Sequence, residues 1–354
     1  MDSRDNGTGT STIKTKKTMS HTHFYKLPTE VKKDIYAATR DTLQLTTELA
    51  VEKDWWAVHS LRTLFGLPIG EHLLFKGGTS LSKAWGVIER FSEDVDLVLD
   101  RSFLGYGGEI SRRDIEKLRI DSLAYITDNV LPDLQSAFHQ QGFADVEIRL
   151  DDIERENEDP VVLWVDYPSV VSGTEYIRDS VKLEIGCRSL IHPQTDRDIS
   201  SYISEAFPDR NFSDSKIRIP CVNPERTFLE KLFLLHEEFQ RPADKIRVKR
   251  LSRHLYDIER LSNTAYAAKA IADKQLYKTI VDHRYQYTRV GGVDYTSHYP
   301  PNLNPIPMDN ILALWEKDYE TMQKEMIHGD SLPFDELIAK IKWITNEINR
   351  VLVK

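Results

Sequence analysis

The sequence of 354 residues has little cysteine, no long apolar run and no surplus of positive charge. Cys187 and Cys221 are its only cysteines, too few for a disulfide framework or a cysteine-based zinc site, so we expect reduced thiols. No apolar stretch approaches the length of a membrane-spanning helix, and the N-terminus has no hydrophobic signal segment. These absences predict a cytoplasmic protein without a membrane partner. The net charge of -9 argues against non-specific coating of nucleic acid, because that affinity scales with the number of phosphates neutralised.

The remaining composition is that of a globular protein, with 40% hydrophobic and 29% charged residues. Residues 1–22 are rich in Ser, Thr, Gly and Lys, which predicts a disordered tail. Strands are predicted over 146–150, 161–167 and 180–187, and a long helix over 111–142 with a kink or break at Pro132. From Pro224 onward the apolar spacing is helical. The pattern predicts an α/β fold with a mixed or antiparallel sheet.

A glycine-rich turn lies within 75–100, the most informative segment of the chain. Gly77 and Gly78 follow an apolar run typical of a strand end and allow a tight turn with exposed backbone N–H groups. Thr79 is in position to cap the helix that follows. A turn of this kind suits phosphate oxygens.

Two aspartates follow on a predicted strand, one short helix after the turn. Val95, Leu97 and Leu99 alternate with polar positions, so Asp94 and Asp96 project from the same face. Two hard oxygen ligands on one strand suit Mg²⁺, or Mn²⁺, held between the protein and the phosphates of an NTP. An Asp-x-Asp pair alone is more often a solvated strand face or a helix cap, so the metal-site prediction rests on its combination with the turn.

Four motifs together resemble the AbiEii/AbiGii-type nucleotidyltransferase toxins of the DNA polymerase β-like nucleotidyltransferase superfamily. The first family motif, Gly-Ser-x-x-x-Arg, is present over 78–83 with Thr for Ser and Lys for Arg, and Arg-Phe-Ser-Glu-Asp-x-Asp-Leu is unbroken over 90–97. The third motif maps its essential lysine to Lys231. The fourth maps its last aspartate to Asp257 and departs from the family at His254, where an aspartate is usual.

The resemblance implies a nucleotidyltransferase core with a mixed β-sheet flanked by helices over 23–220, followed by a helical C-terminal domain over 221–354. The implied reaction moves an NMP from an NTP to a hydroxyl, with pyrophosphate leaving. Some family members modify the 3′ end of tRNA, so tRNA is the first expected acceptor, followed by other RNA. The resemblance also implies a toxin of a toxin–antitoxin or abortive-infection module, restrained by a separately encoded antitoxin protein.

The expected site residues divide by role. Asp94 and Asp96 would hold the metal, and Lys231 would neutralise charge in the transition state. Asp257 and Glu184 are candidates to orient or deprotonate the attacking hydroxyl, and a salt bridge with Lys182 or Arg188 is the structural alternative for Glu184. The expected nucleotide-binding residues are Gly77, Gly78, Thr79, Ser80, Lys83 and Ser92.

A cluster of basic residues precedes Asp257. We expect a helix over 246–261 that places Lys249, Arg253 and Asp257 on one face. A solvated helix face is the alternative to an RNA-binding surface. The expected RNA contacts are Lys245, Arg247, Lys249, Arg250 and Arg253.

Other classes of function fit less well. A P-loop NTPase is disfavoured because no Gly-Lys-Ser/Thr follows Gly77 and Gly78 at the required spacing. A protein-modifying nucleotidyltransferase is the closest rival. A non-catalytic nucleotide-binding module is the third class, and the intact pair Asp94 and Asp96 argues against it.

Overall fold

The computed structural model describes residues 24–92, 94–171 and 179–351, so the predicted tail over 1–22 lies outside the described residues. The strands are β1 (Leu73–Lys76), β2 (Asp94–Leu99), β3 (Glu147–Leu150), β4 (Val161–Asp166), β5 (Ser180–Gly186), β6 (Gln194–Ile199) and β7 (Ile217–Val222). The helices are α1 (Thr29–Leu43), α2 (Glu48–Phe65), α3 (Gly77–Lys83), α4 (Arg112–Tyr125), α5 (Leu131–Gln140), α6 (Tyr202–Ala206), α7 (Pro224–Glu238), α8 (Ser252–Ser262), α9 (Ala265–Ala272), α10 (Lys274–His283), α11 (Asp309–Glu325) and α12 (Phe334–Val351). None of these helices is both long and apolar enough to cross a membrane.

Seven strands form one sheet in the order β3-β4-β5-β2-β1-β7-β6. The sheet is mixed, because β2 pairs in parallel with β5 and antiparallel with β1, while β1 is parallel to β7. This confirms the predicted mixed sheet and its flanking helices. The strands β6 and β7 were not predicted from the sequence. Pro220 interrupts the donor row of β7, and β6 carries alternating charges, so neither segment has a typical strand pattern.

The apolar core lies on both sides of the candidate site. One cluster packs α1, α2 and α5 against the sheet and includes Trp55 and Trp56. Trp56 stacks on Tyr167 with 4.9 Å between ring centroids. A second cluster joins α7 to α12 around residues such as Phe228 and Trp315. The helical C-terminal part is therefore present, and the boundary between 220 and 221 stays a prediction.

The long helix predicted over 111–142 is interrupted close to the expected place. A π-helical turn, Ile126–Val130, separates α4 from α5, and Pro132 lies just beyond it. Proline has no N–H to donate and its ring crowds the carbonyl one turn earlier, which explains a wider turn at this point. The structure therefore has a π-helical interruption just before Pro132, where a kink or break was predicted.

The helix predicted from residue 246 starts later than expected, at Ser252. Arg250 adopts a left-handed backbone with φ of 65°, so the helix cannot extend back through this residue. The carboxylate of Asp318 on α11 accepts hydrogen bonds from the backbone N–H of Arg250 at 2.6 Å and from that of Ser252 at 3.1 Å. It thereby provides acceptors for N–H groups that have no partner within α8. Lys249 lies on the preceding loop, and the predicted row from Lys249 to Asp257 on one helix face is wrong.

Candidate active site

The glycine turn joins β1 to α3 directly against the carboxylates of β2. Gly77 has φ of +79°, and a Cβ there would lie 2.7 Å from Asp96 Cγ and closer still to Oδ2. A Cβ on Gly78 would lie 2.7 Å from an Arg90 guanidinium nitrogen and 2.8 Å from Ser92 Oγ. Glycine is required at both positions because the backbone approaches these polar groups closely.

Three carboxylates meet where β2 pairs with β5. Asp96 is opposite Glu184 and Asp94 is opposite Lys182. Lys182 also forms an ion pair with Glu184, as the structural alternative predicted. Burial, followed by the charge of Glu184, raises the pKa of Asp96 to about 7, although Lys76 opposes the shift. Burial opposes ionisation of Glu184 as well, but hydrogen bonding to Lys182 outweighs it and the pKa of Glu184 is lowered.

The donor chemistry fits a divalent metal shared with a ligand. Within the described ranges, no group of three or more His, Cys, Asp or Glu side chains is arranged to hold a metal by itself. Mg²⁺ needs no such set, because it keeps water and takes phosphate oxygens alongside one or two carboxylates. Asp94 and Asp96 supply two carboxylates on one strand face beside the glycine turn. The residues therefore fit Mg²⁺ or Mn²⁺ bound together with a triphosphate.

Lys231 on α7 and Asp257 on α8 form the opposite wall. Lys231 is buried, and its Nζ lies 2.9 Å from Asp257 Oδ2 and 3.3 Å from His254 Nδ1. Arg90 donates to the same carboxylate from Nε at 2.7 Å and from Nη2 at 2.8 Å. One buried acid thus holds two cations from distant parts of the chain.

The electrostatics of this wall separate the roles of its members. Burial would raise the pKa of Asp257, but the charges of Arg90 and Lys231 outweigh it and hold the pKa well below its usual range. Burial and the charge of Lys231 keep the pKa of His254 far below its ordinary value, so the imidazole is neutral and can accept a hydrogen bond from Lys231. Asp257 has 0% exposure and both oxygens engaged by cations, and its role in orienting or deprotonating the attacking hydroxyl stays a prediction.

A cleft of about 600 Å³ separates the carboxylates from this wall. Residues from all four motifs line it. The predicted site residues found there are Gly77, Gly78, Ser92, Asp94, Asp96, Glu184, Lys231, Arg247 and Arg253. Arg253 reaches towards the pair Asp94 and Asp96, with its Nη1 3.7 Å from Asp94 Oδ2.

Three predicted nucleotide-binding side chains lie away from the cleft. Thr79 does not cap α3, because its hydroxyl donates to the backbone carbonyls of Ser92 and Asp94 and ties the helix to β2. Ser80 is buried. Lys83 forms a buried ion pair with Asp54 of α2, with 3.0 Å between Nζ and Oδ1. These side chains fix α3 in place, and of the predicted phosphate-binding turn only Gly77 and Gly78 line the cleft.

Sequence analysis missed several residues that line the cleft. Lys76 precedes the glycine turn and donates to Ser189 Oγ at 3.1 Å. Arg90 is the first residue of the second motif, and Glu230 directly precedes Lys231 in the third. Their membership of these motifs could have identified both as site residues. Arg188 is held by Asp159, and only the folded chain brings that pair to the cleft.

The comparisons with known proteins agree with this geometry. Residues 61–340 match the family described as nucleotidyl transferase AbiEii toxin, type IV toxin–antitoxin system. The match covers well over half of the chain and contains all four motifs. The chain belongs to this family. AbiEii membership confirms the resemblance, and it implies an NTP substrate and an antitoxin partner.

Curated proteins and solved structures add little to the AbiEii family assignment. No curated protein matches the chain. The solved structure of MenT4, a nucleotidyltransferase toxin from Mycobacterium tuberculosis H37Rv, is 17% identical, and the alignment covers 92% of this chain and 98% of that one with a TM-score of 0.43. At this identity and TM-score, the similarity carries no argument about the site.

Proposed function

We propose that this toxin transfers a nucleoside monophosphate from an NTP to a hydroxyl at the 3′ end of an RNA, with tRNA as the first acceptor to test. The observation that carries the proposal is the convergence of a glycine turn, two carboxylates and a buried lysine on one cleft. Each group meets a different need of phosphoryl transfer, since the triphosphate requires positioning, charge neutralisation and a path for the leaving pyrophosphate.

In the proposed reaction, the acceptor oxygen bonds to the α-phosphorus while the bond to the β-phosphate oxygen breaks and pyrophosphate leaves with the electron pair. The backbone at Gly77 and Gly78 cradles the phosphates. Lys231, which lies on the opposite wall of the cleft, donates hydrogen bonds to phosphate oxygens. Asp94 and Asp96 would hold Mg²⁺, which would supply Lewis-acid neutralisation of phosphate charge. Glu184 is ionised and lines the cleft, so we assign it the acceptor's proton.

The basic loop before α8 supports an RNA acceptor. Lys245, Arg247 and Lys249 are exposed on this loop, and Arg247 also lines the cleft. Exposed cations beside a reaction cleft bind an RNA backbone through its phosphates, even on a protein whose net charge is -9. Arg250 is the exception among the predicted contacts, because it is half-buried beside Asp318.

The test is transfer of label from each α-labelled NTP, with Mg²⁺ and total cell RNA present. We expect label in RNA for the wild type. Asp94→Asn and Asp96→Asn should each reduce transfer as far as the double variant does, because the two carboxylates act as one unit. Asp198→Asn, an exposed aspartate on β6, is the matched control and should transfer normally. Label in protein without RNA would favour the protein-modifying alternative, and near-native transfer by either single variant would refute the site.

A further inference from the structure

Arg90 lies in a backbone segment that is held from two sides. On one side, the Tyr256 hydroxyl of α8 accepts the backbone N–H of Glu89 at 3.3 Å. On the other side, the stretch after α11 pairs with it as a short antiparallel bridge between Arg90 and Ile327. The N–H of Phe91 donates to the Met326 carbonyl at 2.8 Å. The backbone around Arg90 is therefore held by α8 on one side and by the stretch between α11 and α12 on the other.

The side chain of Arg90 contacts both walls of the cleft. Arg90 as a residue is 1% exposed, and its guanidinium packs against Gly78 and donates two parallel hydrogen bonds to Asp257. Asp257 in turn holds the Lys231 ammonium at 2.9 Å. A continuous path of contacts thus runs from the glycine turn through Arg90 and Asp257 to Lys231.

We propose that Arg90 is a positioning residue that sets Lys231 against the glycine turn. The inference rests on the proposed function, in which both groups must meet one triphosphate at the same time. They belong to separate segments, β1–α3 and α7, and a rigid planar fork is suited to fix the distance between them. Because the two cations Arg90 and Lys231 share the single carboxylate of Asp257, this wall keeps a net positive charge that can attract phosphate.

The fork geometry makes the proposal specific to arginine. A lysine at position 90 keeps the charge but offers a single ammonium on a flexible stem, so it cannot reproduce the two parallel hydrogen bonds to Asp257. We expect Asp257 and Lys231 to shift together in that variant. A displacement of about 1 Å at a reacting group lowers the rate by about 100-fold.

The experiment measures kcat and the KM for NTP in the wild type, Arg90→Lys, Asp257→Asn and the double variant. We expect Arg90→Lys to lower kcat by about 100-fold with KM changed by less than about threefold. The double variant should be no slower than the slower single variant, because both changes break the same connection. Arg62→Lys, a half-buried arginine of α2 bonded to the Ser215 carbonyl, should keep the wild-type rate.

Three results would overturn the inference: normal kcat in a folded Arg90→Lys variant, a raised KM with unchanged kcat, or multiplicative losses in the double variant. If Arg90→Lys does not fold, Gly329→Ala replaces it. A Cβ on Gly329 would lie 2.6 Å from Glu89 Cβ and would displace the Arg90 segment from outside the cleft, so a normal kcat there also refutes the inference. Absence of transfer by the wild type would instead refute the proposed function.

Discussion

Gly77 shows how tightly the site is built at the scale of single residues. Its backbone lies against Asp96 and has a positive φ, so two separate constraints exclude any larger residue. Gly86, shortly after α3, also has a positive φ of 61°, but a Cβ there would have nothing within 4 Å. Substitution of Gly86 therefore introduces backbone strain alone, whereas substitution of Gly77 introduces backbone strain and also displaces the Asp96 carboxylate.

We predict that Gly77→Ala and Gly86→Ala each lower the free energy of unfolding by about 1–3 kcal/mol, because both place a side chain at positive φ. Only Gly77→Ala should lose transfer, by about 100-fold, since its methyl group displaces Asp96. Urea unfolding and RNA labelling measure the two effects. Full activity of Gly77→Ala would show that the turn does not constrain the carboxylate.

Single residues also mark the limit of prediction from sequence. Asp94 and Asp96 could be predicted because strand alternation fixes their common face without knowledge of any partner. The role of Lys83 could not, because Asp54 lies on a different helix and only the fold brings the two together. Asp257 was identified by its motif, but its burial between Arg90 and Lys231 depends on long-range packing.

At the scale of elements, α7 is joined to the loop before α11 through buried His236. Its Nδ1 accepts the N–H of Asn304 at 3.0 Å, and its Nε2 lies 2.9 Å from Ser297 Oγ. Burial and the nearby His298 lower the pKa of His236 to about 4. His236 therefore stays neutral in the folded state over a pH range in which the same imidazole is protonated in the unfolded chain.

This shift predicts a pH dependence of stability. The contribution of neutral His236 is complete above about pH 6.5 and is lost as the pH falls towards 4, because the unfolded state binds the proton first. Between pH 6 and 4.5, wild-type unfolding free energy should fall about 1.4 kcal/mol per pH unit more steeply than that of His236→Gln. Urea unfolding at each pH measures the slopes. His139→Gln, at an exposed position of α5, should match the wild type, and equal slopes in all three would contradict the assignment.

The basic loop gives a second prediction at this scale. Replacing Lys245, Arg247 and Lys249 with alanine should flatten the salt dependence of RNA binding by about two units of slope, at roughly 0.7 per lost contact with a single strand. Binding of NTP should change far less. The control removes the same number of cations from exposed positions on α9 and α10, namely Lys269, Lys274 and Lys278. An unchanged slope in the loop variant would leave the loop as a solvated surface.

Across the whole molecule, the mixed sheet and the helical C-terminal part could be predicted from the sequence, whereas strand order could not. The central strand β2 pairs with β1 before it and with β5 far after it, and β7 completes the other side of β1. No local pattern encodes such pairings. The missed strands β6 and β7 show the same limit, since β7 carries Pro220 and β6 gains its place only by pairing with β7.

A chain that stops after Glu325 should fail to label RNA and should allow growth when it is expressed without the antitoxin. It would lack α12 and the Met326–Ile327 backbone that holds the Arg90 segment. A chain that stops after residue 351 is the control, and it should arrest growth as the full chain does. Growth arrest by the shorter chain would show that the bridge to Arg90 is dispensable.

The bridge between Arg90 and Ile327 also has a consequence for how a cell can make this protein. Ribosomes add about 5–20 residues per second, so Asp94 and Asp96 leave the ribosome tens of seconds before the Met326–Ile327 segment that holds the Arg90 backbone has been made. During that interval the nascent chain lacks the backbone contacts that fix Arg90. On the proposed role of Arg90, toxicity should begin only after this segment has been synthesised, and a translation product that terminates before it should be harmless to the cell that made it.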